Sequence, residues 1–184
     1  MENRKVILVT DGDSVAQKAV ETAATNIGGR CISASAGNPT FLSGYEIVDL
    51  IKTAEHDPVV VMVDDRGEKG AGDGERAMEV ILNDESVDVL GVVAVSSNGK
   101  DCKGVKVACS ITKDGKVIEG SVDKYGNDTG NKDICGDTLS ILRDKQDLVI
   151  VGIGDPGKMD FKDDVLKGAP VTTKAFQEIL NRNH

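Results

Sequence analysis

Apolar residues along this chain follow two rhythms. Four runs are continuous and strand-length: KVILVT, PVVVMV, VLGVVAV and DLVIVGIG. Each ends in a polar or acidic segment, in turn Asp11-Gly12-Asp13, Asp64-Asp65, Ser96-Ser97-Asn98 and Asp155. Unbroken β-branched runs mark strands buried on both faces, as in a parallel sheet covered by helices. Between them the apolar period changes to that of a helix. Val15, Ala16, Ala19, Val20, Ala23 and Ala24 predict a helix over 14–26 that stops at Gly28-Gly29. Ser43, three residues before Glu46, opens a second helix through Ile47, Leu50 and Ile51 with a capping box. A third helix is expected over 75–82, and a last one begins at Pro170 with Ala175, Phe176, Ile179 and Leu180 on its apolar face.

These elements, with strands at 5–9, 30–36, 59–63, 87–95 and 148–153, predict an α/β fold with a doubly wound, mostly parallel, Rossmann-like sheet. Residues 105–122 read differently. Two short strands flank Asp114-Gly115, a hairpin turn signal, and form an antiparallel extension at the sheet edge. Asp137 is expected to cap a short helix reaching Leu142. No composition shift divides the chain, so residues 1–184 read as one α/β domain carrying that hairpin.

Charge narrows the partners. A net charge of −9 opposes nucleic-acid binding, which needs a basic surface, and favours cations or basic surfaces. No apolar stretch approaches the roughly 20 residues of a membrane-spanning helix. The start, MENRKVILVT, enters a strand without a signal-peptide apolar region, so cytoplasmic placement is expected. Cys31, Cys102, Cys109 and Cys135 show no zinc-ligand spacing, and the only histidines are His56 and His184. Free thiols are therefore expected, and Cys-His or Ser-His-Asp chemistry lacks its imidazole.

Ligands of open α/β sheets bind beyond the carboxyl ends of the strands. That rule makes the strand-end loops the candidate site: Asp11, Gly12, Asp13, Asn38, Thr40, Ser97, Asn98, Asp155 and Lys158 for a ligand. Asp11, Asp13, Asp64 and Asp65 are candidates for a metal. Carboxylates gathered in a crevice repel one another, and Mg²⁺ or Ca²⁺ would compensate them through hard oxygen ligands. The commoner role of such residues is to cap helices, shape turns or sit in solvent, so both readings stand. RGEKGAGDG lacks the Gly-Lys-Ser/Thr ending of a phosphate loop and the third glycine of the dinucleotide fingerprint, and reads as a surface loop.

Two resemblances add to this. The acidic loop after the first strand and the acidic pair after another resemble the core of Toprim domains, which implies that the sheet is Toprim-like, although Asp11 stands where those domains carry Glu. More extensively, KVILVTDGD, GGRCISASAGNPTFLSGYEIVDLIK, DPVVVMVDD, VLGVVAVSSN, VDKYG, GDTL, VGIGDPGKMDFKDD and KGAPVTTKAFQEIL resemble, in order, the soluble type of the stage V sporulation protein AE family. The second resemblance implies an accessory, non-enzymatic role with other stage V sporulation A proteins, in uptake of dipicolinic acid with calcium during sporulation and its release in germination. It also implies a place peripheral to the spore inner membrane, reached through partner proteins because the chain has no apolar span. It carries over no catalytic residues and no certain cofactor, and it leaves self-association open. The first resemblance implies the alternative, a Mg²⁺-dependent phosphoryl-transfer enzyme or nucleotide binder.

Overall fold

The computed structural model describes residues 2–66, 72–97 and 102–184. Four of the predicted strands form as read: β1 (Arg4–Val9), β3 (Val59–Met62), β4 (Val87–Val95) and β9 (Val149–Ile153). The remaining strands are short: β2 (Arg30–Cys31), β5 (Val105–Lys106), β6 (Cys109–Ile111), β7 (Val117–Ile118) and β8 (Asp133–Ile134). The main sheet runs β2-β3-β1-β4-β9-β6-β7, with every pair parallel except β6 with β7.

Helices α1 (Ser14–Asn26) and α4 (Pro170–Arg182) pack together on one face, and α2 (Gly44–Thr53) and α3 (Asp73–Asn83) on the other. Alternation along each strand feeds both layers. Val6 and Leu8 join the α2/α3 core with Ile47, Ile51 and Met78, while Ile7 and Val9 join the α1/α4 core with Val20 and Phe176. Continuous apolar strands are thus required by two covered faces, and the fold is a doubly wound α/β sheet. The Ser43–Glu46 capping box is present in both directions.

Three expectations need correction. The second strand is two residues long, because Ser33–Ser35 turns into a 3-10 helix. Ser35 Oγ accepts the Met62 N–H at 2.9 Å and donates to the Ile32 carbonyl, so a side chain satisfies β3 where a longer β2 would have. The hairpin spans β6 and β7 only, since β5 pairs antiparallel with β8 in a separate small sheet. Asp137 caps no helix; Leu139 precedes a 3-10 turn at Ser140–Leu142. The glycine-rich stretch at 67–71 and Asn98 lie outside the described residues.

The cysteines also differ from expectation. Cys102 and Cys135 form a disulfide across 33 residues, with Cα atoms 5.9 Å apart, while Cys31 and Cys109 are free. The Ser97 N–H donates to the Cys135 carbonyl, which lays the segment after β4 beside the segment after β8. That pairing puts the two sulfurs within bridging range.

Replacing Ser35 with Ala leaves the buried Met62 N–H without a partner. A loss of about 1–3 kcal/mol is expected in denaturant unfolding, with strand β3 losing hydrogen-exchange protection.

Candidate functional site

Parallel register levels the strand ends. Val9 lies opposite Met62 on β3 and Val93 on β4, and Val95 lies opposite Ile153 on β9. The residues that follow therefore leave the sheet along one edge. Thr10 extends the ladder there: its N–H donates to the Val93 carbonyl and its Oγ1 accepts the Val95 N–H at 3.0 Å. A cleft of about 300 Å³ opens beyond, lined by Thr10, Asp11, Asp13, Asn38, Asp64, Arg66, Val95, Ser96, Ser97, Asp137, Asp155 and Lys158.

Each carboxylate is held by its own loop. Asp11 Oδ1 accepts the Gly12 N–H at 2.8 Å, and Asp13 Oδ1 caps α1 through the Ala16 N–H. Asp64 Oδ1 accepts the Arg66 N–H, and Asp155 Oδ1 accepts the Gly157 N–H at 2.9 Å. Capping and turn formation use one oxygen of each carboxylate and leave the other free of that task. The capping reading and the ligand reading are thus compatible. Asp11, Asp13 and Asp155 each offer an oxygen within 4.8 Å of the others, a spacing that one divalent ion could bridge.

The other expected residues are positioned differently. Thr40 is buried and clasps the Asp64 backbone: its N–H donates to the Asp64 carbonyl and its Oγ1 accepts the Asp64 N–H, both at 2.8 Å. Gly12 supplies a close approach, because a Cβ there would collide with the Gly37 carbonyl, which lies beside the Gly12–Gly37 backbone hydrogen bond. Asp65 turns away from the cleft, and its Oδ1 accepts the Gly74 and Glu75 N–H groups at the start of α3. Lys158 lies 3.8 Å from Asp155.

Sequence reasoning missed Thr10, Arg66, Ser96 and Asp137 as lining residues. Arg66 adopts a left-handed backbone (φ 55°), the one sign of constraint at that position, and no sequence signal announces it. Asp137 arrives by the pairing of Ser97 with Cys135, a contact between distant segments. Five carboxylates then face two basic side chains. Burial pushes the Asp11 carboxyl up to about 8, with Asp13, Asp155 and Asp64 adding repulsion. Burial likewise raises Asp64 to about 6 against the opposing Arg66 amide hydrogen bond, and raises Asp137, with Asp65 contributing. Charge of this density in a partly dry cleft calls for a proton or a cation.

The class is therefore an α/β protein with an acidic strand-end cleft. A family model described as Stage V sporulation protein AE1 matches residues 5–183, and the chain belongs to that family. The family description places it in sporulation. No curated protein and no solved structure matches the chain. Among the described residues, no helix is long and apolar enough to cross a membrane.

Asp11 has a folded pKa near 8 against 3.8 for an ordinary Asp, so the folded state holds a proton the unfolded state has lost. In cation-free buffer this contribution to stability falls as pH rises from about 4 through 8. Asp11→Asn should flatten that decline. At pH 8 the variant should melt several degrees above the parent in thermal scans without divalent ions.

Proposed function

We propose that this chain is an accessory, non-enzymatic component of the stage V sporulation A machinery, and that its strand-end cleft binds a divalent cation, Mg²⁺ or Ca²⁺. Its task would be to support uptake of dipicolinic acid with calcium into the developing spore and release in germination. It would act peripherally to the inner membrane through the other proteins of that machinery. The family membership supports the setting. The convergence of Asp11, Asp13 and Asp155 within 4.8 Å carries the cation reading.

A Toprim-like Mg²⁺-dependent phosphoryl-transfer enzyme is the second reading, supported by the same three carboxylates. Its weakness is electrostatic. Asp64 and Asp137 add to the triad, while Arg66 and Lys158 are the only basic residues lining the described cleft, so a phosphate would meet excess negative charge.

Amide-shift NMR titration with Mg²⁺ and then Ca²⁺ tests the cation reading. Saturable shifts should be confined to the loops at Asp11, Asp64 and Asp155 and should weaken in Asp155→Asn. Because the ion competes with the Asp11 proton, affinity should tighten by up to about tenfold per pH unit between roughly 6 and 8. Scattered, non-saturating shifts at millimolar ion would end this reading. For the cellular role, a deletion strain should release dipicolinic acid slowly or store less of it, and normal content with normal release kinetics would count against it.

A further inference from the structure

Beside the cleft, the loop from Pro156 to Gly168 holds apolar side chains outward on a fixed support. Met159 is fully buried in the α1/α4 core. Asp163 is buried too, and its Oδ1 accepts the Val171 and Thr172 N–H groups at 2.8 and 3.0 Å at the start of α4. Three residues must turn between these anchors. Asp160 and Phe161 do so with left-handed backbones (φ 50° and 59°), a conformation disfavoured for residues with a Cβ. Phe161 is left 77% exposed. Asp164 then caps the next 3-10 turn through the Leu166 N–H, and Leu166 is 94% exposed. Strain that presents a phenylalanine to water marks a surface kept for contact rather than for packing.

This loop and the first turns of α1 enclose a groove of about 440 Å³, with Val15, Phe161 and Val165 among its walls. Lys158 lines both this groove and the acidic cleft, so the two adjoin at that residue. Charge decides what fits. A second copy would add another acidic cleft to the first, and an anionic lipid surface would meet the same repulsion from a chain of net charge −9. The groove itself mixes Lys18 and Lys158 with Asp160 and Asp164, so a partner's positive charge gains at the cleft and its apolar side chains gain in the groove.

We propose that the groove docks a basic amphipathic segment of a partner protein, with its apolar side chains against Val15, Phe161 and Val165 and, next in the chain, the exposed Leu166, and a Lys or Arg reaching the carboxylates of the cleft. This names the partner chemistry for the accessory role above and shares its cleft. Divalent ion and partner cation then compete for Asp11, Asp13 and Asp155. Docking is thereby weakened by the ion through competition at the cleft.

Selection from a displayed library of random helix-length peptides, in chelator, tests the idea on the full chain. Enriched peptides should combine apolar residues with Lys or Arg. A representative peptide should bind roughly tenfold or more weakly to the Phe161→Ser, Leu166→Ser double variant and to Asp155→Asn, and Mg²⁺ should displace it. Both apolar positions are exposed, so the double variant should keep the parent's melting temperature and any effect is one of binding. Four outcomes overturn the proposal: no enriched peptide, enriched peptides without basic residues, binding indifferent to the double variant, or an apolar loop whose loss instead abolishes self-association in sedimentation or binding to phosphatidylglycerol vesicles. Mg²⁺ binding with no patch-dependent peptide sinks this inference alone. Patch- and Asp155-dependent peptide binding in a protein blind to Mg²⁺ keeps docking, ends the proposed competition, and sinks the cation reading.

Discussion

Parallel pairing of β1 with β3 and β4, and of β4 with β9, brings four loops to the same height above the sheet. The edge chemistry depends on that alignment. A slip of one residue along any strand would exchange its two buried faces and also swing its terminal polar side chain to the opposite side. Because both faces of these strands are packed, against α1/α4 and α2/α3, the core itself enforces the register. Core packing and cleft geometry are in this sense one constraint. The hydroxyls of Thr10 and Thr40 extend it past the last regular hydrogen bonds by holding the backbones of Val95 and Asp64.

The alignment has an electrostatic consequence. Buried among Asp13, Asp64 and Asp155, Asp11 favours its protonated form, and the folded state gives up stability as pH rises. Proteins keep such an arrangement where something outside the chain offsets it. Two kinds of positive charge are proposed here, a metal ion, which the spacing of Asp11, Asp13 and Asp155 could hold, and a partner's basic side chain. The adjoining apolar groove has no use for a bare ion, and the proposed protein partner would use both surfaces.

The disulfide between Cys102 and Cys135 fits the same region. It links the segments that follow β4 and β8, next to the hydrogen bond from Ser97 to the Cys135 carbonyl. Asp137 comes two residues later and enters the cleft. The tie between these segments thus helps set the fifth carboxylate through backbone placement, and Asp137 there adds to the repulsion on Asp64.

Local pattern was enough for the strands at 5–9 and 87–95, the helix over 14–26 and the Ser43 capping box, because apolar period and end signals act within a few residues. It was also enough to put acids at the strand ends. Which acids meet was decided by tertiary structure. Asp64 and Asp65 are neighbours in a chain that alternates sides, so one faces the cleft and the other the start of α3. Asp155 joins Asp11 and Asp13 because β9 pairs beside β4, and strand order is not written in any local window. Ser35 cut β2 short, Asp137 entered the cleft, and two cysteines met across 33 residues for a common reason. Each depends on a partner far along the chain, and such partners are chosen only when the two layers close over the sheet.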